Sequence, residues 1–179
     1  MWFALCLGKG RASPYARAMI KLDHRDIEIL RVLAREGRVS KAVLAEKINL
    51  SATPAWERLK KLEKHGLVTR YCAEFNLRKL GPHVTLFVAA ELTDHTAASF
   101  QRFERALERH DEVVGCWALG GGFDYLLHII TRDIEAYQTL IDTMLDARIG
   151  IARYFTYIVT KQVKGPSAPP FALLAGQSD

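Results

Sequence analysis

The chain has 179 residues, 49% of them hydrophobic and 25% charged, which is enough apolar material for the cores of one or two small domains. Its three cysteines, Cys6, Cys72 and Cys116, lack metal-ligand spacing. The apolar run WFALCLG is too short to cross a bilayer and follows no positively charged stretch, so neither a membrane anchor nor a signal peptide is predicted. We therefore expect a cytoplasmic protein with reduced thiols, and we expect Cys72 and Cys116 in strands as small apolar residues.

The charge is divided unevenly along the chain. Residues 1–80 contain 17 Lys and Arg against 8 Asp and Glu, whereas residues 81–179 contain 8 against 12. The two parts therefore carry formal charges of +9 and −4, which give the +5 of the whole chain. A basic N-terminal part joined to an acidic C-terminal part predicts that one domain faces a polyanion and that the other has a different task.

The chain begins with an extension, which is followed by a helix. Residues 1–20 include the basic, turn-rich run GKGRASPYAR and are predicted to be flexible, with Met19 as a second candidate for the start of translation. The helix that follows has Asp23 as its expected N-cap, Asp26 at the favourable positive end of the helix dipole, and Gly37 as its stop. Its apolar face is predicted from residues at helical spacing: Ile27, Leu30 and Leu33/Ala34.

Two more helices joined by a tight turn at Asn49-Leu50 are predicted between Val39 and Gly66. Ser40 and Ser51 are the expected N-caps. The buried stripes are Val43, Leu44 and Ile48 in the first helix and Ala55, Leu59 and Leu62 in the second. The outer face of the second helix carries Thr53, Glu57, Arg58, Lys60, Lys61 and Lys64. This arrangement suits a DNA major groove; the alternative is an ordinary helical hairpin with a solvated charged face.

The segment after Gly66, LVTRYCAEFNL, has the β-branched and aromatic content of a strand or small hairpin. Three helices followed by such a segment are typical of the winged form of helix-turn-helix. This pattern favours DNA binding over the plain hairpin.

Residues 82–164 follow the order βαββαβ, which predicts a ferredoxin-like domain: one four-stranded antiparallel sheet with two helices on one face. The second of these helices is expected to bury Ile134, Tyr137/Gln138, Ile141 and Leu145. Such a sheet leaves its other face open, and a second copy of the chain is the simplest cover, so a dimer is expected. The predicted fold class is α+β, with an N-terminal winged helix-turn-helix domain and this C-terminal domain. The predicted boundaries are an extension at 1–20, a helix-turn-helix domain at 21–66, a wing and linker at 67–81, a ligand-binding and oligomerisation domain at 82–164, and a flexible, proline-rich tail at 165–179.

At this point the chain shows a resemblance that covers about residues 22–164. With LDHRDIEIL, SATPAWERLKKLEKHGLV and GGGFDYLL in that order, it resembles the Lrp/AsnC family of bacterial and archaeal transcription regulators. The resemblance implies a DNA-binding domain, a linking wing, and a C-terminal domain that binds an amino acid and assembles dimers, often into octamers.

Two departures from the family pattern are visible. Ala52 and Ala55 stand where the recognition helix commonly opens Ser-Pro-Thr-Pro-Cys; the lost proline is expected to weaken pre-organisation only slightly, because Ser51 and Pro54 remain. Gly122 stands where many relatives have a polar or acidic residue, which leaves the identity of the effector open.

The predicted DNA contacts divide by chemistry. Cationic side chains for phosphates or base edges are Arg58, Lys60, Lys61 and Lys64, with Arg70 on the wing. The side chains of Thr53, Pro54, Trp56 and Glu57, in the first turns of the helix, are placed to touch bases and thymine methyls. Ser51, at the start of the same helix, is also a predicted DNA contact. Ser40 and Lys41 are predicted to meet a phosphate through a backbone N–H, a hydroxyl and a charge. For Trp56, packing in the core and reading DNA are equally open.

The effector is expected at the loop that contains Gly121, Gly122, Phe123 and Asp124. Glycines there allow positive φ and close approach of backbone N–H groups to a carboxylate, while Asp124 can meet an ammonium group. A plain glycine hairpin turn is the alternative. Tyr125 and Tyr137 are further candidates for the pocket wall. The resemblance supports the ligand interpretation, since Gly121, Phe123 and Asp124 match the family's Gly-x-aromatic-Asp pattern and its pocket lies between dimers.

No enzymatic motif stands out. The chain has no GxxxxGK[ST] loop, no evident Ser-His-acid pattern and no His-x₃-His spacing, so neither a cofactor nor a metal is predicted. A regulator that binds double-stranded DNA and an amino acid is therefore favoured. An architectural DNA-binding protein without an effector remains the alternative, followed by a ferredoxin-like enzyme fused to a DNA-binding domain.

Overall fold

The computed structural model describes residues 20–165 and 168–176. These residues form two compact units. The first runs to Glu74 and includes the segment from Lys164, and the second is Phe75–Val163. Apart from residue 20, the predicted N-terminal extension lies outside the described residues, as does Met19.

The first unit is built on three helices, namely α1 (His24–Glu36), α2 (Lys41–Lys47) and α3 (Ala52–Lys64). A capping box begins α1: the Asp23 carboxylate accepts from the Asp26 N–H at 2.9 Å, and the Asp26 carboxylate accepts from the Asp23 N–H at 3.2 Å. Gly37 ends this helix with φ 68°, a left-handed conformation that favours glycine. The predicted start and stop of α1 are confirmed.

The three helices enclose one apolar core. Its buried members are Ile29, Leu30, Leu33, Leu44, Ala45, Ile48, Ala55, Leu59 and Leu62. The predicted stripe of α3 is confirmed, but Val43 is 37% exposed, because Leu44, Ala45 and Ile48 form the inward face of α2. Ala34 is likewise exposed. Ser51 occupies the N-cap position of α3, although its side chain makes no capping hydrogen bond.

The segment after α3 has no regular secondary structure. Residues 67–76 form no strand, so the predicted wing strands are absent from this part of the structure. A strand needs a neighbour for its backbone N–H and C=O groups, and β-branched composition alone does not supply one. Cys72 is exposed here instead of lying in a strand.

The C-terminal segment, predicted to be flexible throughout, contains a short helix, α6 (Phe171–Leu174). It lies against α1, and the half-buried Phe171 packs on the helical core of the first unit. The proline-rich composition did not reveal this apolar contact of Phe171, so the sequence predicted a flexible tail where the structure has a short helix.

The second unit begins with a 3₁₀ turn at Leu77–Lys79 and continues through the six elements predicted from the sequence. They are β1 (Val84–Leu92), α4 (Ala97–Leu107), β2 (Val113–Ala118), β3 (Tyr125–Thr131), α5 (Ile134–Asp146) and β4 (Ile151–Ile158). The sheet order is β2-β3-β1-β4 with every neighbouring pair antiparallel, which confirms the ferredoxin-like topology.

The core of the second unit lies between the sheet and its two helices. On α4, Phe103 and Leu107 are buried. On α5, however, the buried positions are Tyr137, Leu140, Ile141 and Met144. Ile134 and Leu145 are 46% and 39% exposed, so the predicted inner face of α5 was displaced by one position at its C-terminal end.

The other face of the sheet is apolar and largely aromatic. Phe87 stacks on His128 with ring centroids 4.8 Å apart, and burial lowers the pKa of His128 below its usual value. Trp117 and Phe155 are 50% and 46% exposed on this same face, as their register with β3 and β1 places them. The Trp117 ring lies over Gly115, where a Cβ would come within 2.7 Å of it.

Candidate functional sites

The first candidate site is the outer face of α3. Thr53, Glu57, Lys60, Lys61 and Lys64 are all exposed, while the opposite face of the helix is buried. Three lysines against one glutamate give this face a positive charge at the surface of a three-helix domain. Such a helix can enter a major groove while its cations meet the flanking phosphates.

Arg58 does not belong to that free surface. Its Nη1 donates to Oδ2 of Asp23 at 2.6 Å and to Oδ1 of Asp26 at 2.9 Å, so it ties α3 to the start of α1. Burial raises the pKa of the Asp23 carboxyl, but the Asp26 backbone and the Arg58 guanidinium outweigh it and hold that pKa below its usual value. The predicted phosphate contact by Arg58 therefore gives way to a structural ion pair, since its guanidinium is already committed.

Trp56 is half-buried and packs against the helical core. Its ring also contacts two ammonium groups: Lys41 Nζ lies 4.8 Å and Lys60 Nζ lies 5.3 Å from the ring centroid. Lys60 is also 3.2 Å from Glu63, which accepts a hydrogen bond from the Tyr71 hydroxyl at 2.8 Å.

The remaining residues predicted to contact DNA are exposed, but they differ in the contacts that they make within the protein. The Ser40 hydroxyl accepts from the Val43 N–H at 3.3 Å and so serves as the cap of α2. Ser51 and Pro54 are exposed at the start of α3, and Arg70 is exposed on the segment that follows it. The structure thus brings Ser51, Pro54 and the α3 lysines onto one helix and leaves Arg70 on a segment without regular structure.

The second candidate site is the loop between β2 and β3. Gly121 and Gly122 are exposed, and a Cβ at either position would meet nothing within 4 Å. Neither glycine has positive φ, so these two residues do not adopt the expected left-handed conformation. They leave open space beside the backbone of the loop instead. Phe123 is half-buried, with its ring 5.4 Å from that of Phe155.

Asp124 anchors this loop to the sheet. Its Oδ2 accepts from the Leu92 N–H at 2.8 Å, its Oδ1 lies 3.1 Å from His95 Nε2, and its own N–H donates to the Ala90 carbonyl at 3.0 Å. The carboxylate therefore holds the loop in place, and only its remaining lone pairs face outward. The ammonium group of a bound amino acid would have to share the Asp124 carboxylate with His95.

The two tyrosines predicted as pocket walls belong to the core. Tyr125 is 3% exposed and donates to Glu104 at 2.8 Å, and burial, followed by that carboxylate, raises its pKa strongly. Tyr137 is 6% exposed and its hydroxyl is hydrogen-bonded to Thr156. Tyr125 lies on the side of β3 that packs against α4, and Tyr137 lies on the side of α5 that packs against the sheet, so both rings belong to the core of the second unit.

Three residues beside the loop were missed by sequence reasoning. His95 contacts Asp124, the Arg153 guanidinium lies 5.9 Å from the centre of the Phe123 ring, and Phe155 packs on that same ring. Arg153 is also paired with Glu91. The alternation of β4 places Arg153 and Phe155 on the open face, which is the one signal from which they could have been found.

Two grooves on the surface of the second unit have linings that do not include the glycine loop. One, of about 330 Å³, lies between α4 and β2, and the other lies beside Pro82 and Thr131. Among the described residues, no three His, Cys, Asp or Glu side chains gather as metal ligands. In the same part of the chain, no helix has the length and apolarity to span a membrane.

Comparison with known proteins decides the family. A profile of winged helix-turn-helix DNA-binding domains matches residues 22–69, and a profile of the Lrp/AsnC ligand binding domain matches residues 85–169. The transcriptional regulatory protein DoeX of Halomonas elongata is 49% identical over 149 residues, which cover 83% of this chain and 94% of that protein. The chain belongs to the Lrp/AsnC family.

Other members of the Lrp/AsnC family agree in sequence and fold. The leucine-responsive regulatory protein of Escherichia coli K12 is 34% identical, over 80% of this chain and 87% of that protein. The crystal structure of an AsnC family transcriptional regulator from Agrobacterium tumefaciens superimposes with a TM-score of 0.79 at 31% identity, covering 86% of this chain and 99% of that one. A transcriptional regulator of Neisseria meningitidis in complex with L-Met gives 0.80 at 29% identity, with coverage of 86% and 99%. The Lrp/AsnC chain described here is therefore a transcriptional regulator with the predicted α+β fold class.

Proposed function

We propose that this chain regulates transcription by binding a specific double-stranded DNA site, and that an amino acid or a related small molecule changes its assembly or its DNA affinity. The observation that carries the proposal is the outer face of α3, where Lys60, Lys61 and Lys64 are exposed on a helix whose other face is buried. The family supports it, since its members are transcriptional regulators. No catalytic step and no cofactor enter the proposal.

The effector would bind at the loop from Leu119 to Asp124. Exposed glycines leave backbone N–H groups accessible to a carboxylate, and the Asp124 carboxylate and the Phe123 ring lie beside them. A mycobacterial regulator of the same fold, at 25% identity, was also crystallised with L-methionine, which supports an amino acid as the class of effector. Neither the groove between α4 and β2 nor the groove beside Pro82 includes this loop, and its glycines are exposed, so the pocket would be completed by another copy of the chain.

Assembly would use the open face of the sheet. An apolar aromatic surface of this kind is costly to leave in water, and a second identical surface is a symmetric cover for it. A dimer would present two α3 helices to successive major grooves, so half-sites about 10 bp apart are expected. Larger assemblies, such as the octamers of the family, would then bring loops of different dimers together.

A double substitution tests the DNA-binding face. Lys61→Ala with Lys64→Ala removes two exposed cations and should reduce the slope of log affinity against log salt by about 2, because each phosphate contact contributes about 0.9. The measurement is fluorescence anisotropy with a labelled duplex from the protein's own promoter region. Arg109→Ala, an exposed cation at the end of α4, is the control and should leave the slope unchanged. Equal slopes for all three proteins would refute the assignment of the α3 face.

A further inference from the structure

The indole ring of Trp56 joins two lysines that come from different helices. Lys41 is the first residue of α2, and Lys60 lies on α3 one turn after Trp56 itself. Their ammonium groups lie 4.8 Å and 5.3 Å from the ring centroid. Both distances are within the roughly 6 Å over which the face of an aromatic ring attracts a cation, and tryptophan is the strongest side chain for this contact.

The ring can serve as a fixed platform because the protein core holds it. Trp56 is half-buried and packs on the same apolar cluster that includes Ala55 and Leu59. A side chain anchored in this way has lost its rotamer freedom during folding, so the lysines that rest on it do not have to order it. Trp56 therefore both packs and faces the solvent-exposed cations.

The two lysines differ in their other contacts. The Nζ of Lys60 also lies 3.2 Å from Oε2 of Glu63, and the two side chains are 60% and 27% exposed, so salt or a phosphate can compete for this ion pair. Lys41 is exposed and has no carboxylate partner among the described residues. Both ammonium groups thus keep donors for a further anion while the ring limits their motion. A lysine that is already ordered loses less entropy when it binds a phosphate.

We propose that Trp56 is a positioning residue for DNA binding, whose ring holds Lys41 and Lys60 together as one two-lysine contact to the phosphate backbone beside α3. The inference rests on the proposed binding of double-stranded DNA. In this role Trp56 reads no base, so its contribution is the same on specific and random DNA. It also links α2 and α3 through charge, in addition to their apolar packing.

Two substitutions separate the ring from the apolar packing. Trp56→Leu keeps an apolar side chain and should weaken binding to a fluorescein-labelled random-sequence duplex by about 5- to 30-fold, since two lysines that the ring no longer orders would lose more entropy on binding. For the same variant, the slope of log affinity against log salt concentration, measured between 50 and 200 mM salt, should fall by up to about 2. Trp56→Phe retains an aromatic face and should restore most of the affinity. If Trp56→Leu binds as tightly as the wild type with the same slope, the proposal is wrong.

Coupling between residues distinguishes positioning from loss of stability. Lys41→Ala should weaken binding less in the Trp56→Phe background than in wild type, and least in Trp56→Leu, whereas Lys64→Ala should act equally in all three. Equal effects of Lys41→Ala in every background would overturn the inference.

A second measurement, NMR spectroscopy of the wild-type protein, does not depend on the folding of any variant. Ring currents from Trp56 should shift the side-chain proton resonances of Lys41 and Lys60 upfield relative to those of Lys61. Unshifted resonances would contradict the inference. If the wild type itself shows no salt-dependent DNA binding, the proposed function fails instead.

Discussion

At the scale of single residues, Arg58 illustrates how a cation on a basic helix can be structural. It bridges Asp23 and the buried Asp26, which are the two members of the α1 capping box. Because the folded-state pKa of Asp23 is depressed, the contribution of this carboxylate is present above its ordinary pKa and is lost as the pH falls through the folded value. The stability of the DNA-binding domain thus depends on an ion pair at its surface.

Arg58→Ala is expected to lower the free energy of unfolding by about 1–3 kcal/mol, because the buried Asp26 carboxylate would lose its cationic partner and keep only the Asp23 N–H. Its salt slope for DNA binding should match that of the wild type, since the guanidinium is engaged within the protein. Chemical denaturation and anisotropy measure the two quantities. Lys61→Ala should show the reverse pattern, with unchanged stability and a reduced slope. A reduced slope with full stability for Arg58→Ala would restore it as a DNA contact.

Asp124 is the central residue of the proposed effector site. Asp124→Ala removes the acceptor for Leu92 N–H and the partner of His95, so it should abolish the change in DNA affinity caused by the effector while basal DNA binding persists. Asp124→Asn keeps the acceptor oxygen and loses the charge, and it should retain the loop but lose attraction for an ammonium group. Anisotropy titrations with and without the effector check this. An undiminished response in Asp124→Ala would remove the residue from the site.

At the scale of elements, the helices and strands follow closely from local patterns. The cap and stop of α1, the buried face of α3 and all four strands of the sheet were predictable, since each has its own periodicity or terminal residue. The wing and the inner face of α5 were not, because pairing partners and neighbouring packing decide them. The same limit applies to the sites: no local pattern reveals that Arg58 pairs with residues on another helix, or that His95 meets Asp124.

The short helix α6 gives a prediction of its own. Phe171 packs against the helical core, whereas Leu173 in the same turn is 75% exposed. Phe171→Ala should therefore lower the melting temperature of the DNA-binding domain by a few degrees, because apolar area is lost from the core. Leu173→Ala is the matched control and should change it little. Identical melting curves for the two variants would show that α6 does not stabilise the domain.

At the scale of the whole molecule, the proposed dimer would form through the open face of the sheet. Phe155 on this face and Ile134 on α5 are equally exposed, at 46% each. Phe155→Glu should convert a dimer into a monomer by placing charges inside the interface, while Ile134→Glu should not. Light scattering coupled to size-exclusion chromatography gives the masses. A dimer that survives Phe155→Glu but dissociates with Ile134→Glu would place the interface on the helices.

The proposed function requires that one small molecule and one DNA site are coupled through this chain. The most direct measurement is anisotropy of the wild-type protein with a duplex from its own promoter region and with random DNA, across a salt series and with each amino acid in turn. Tight, site-selective binding that one amino acid shifts by about 5- to 150-fold, a coupling of about 1–3 kcal/mol, is the expected result. Salt-dependent binding that is equal on both duplexes and unaffected by every amino acid would contradict the account and favour an architectural protein.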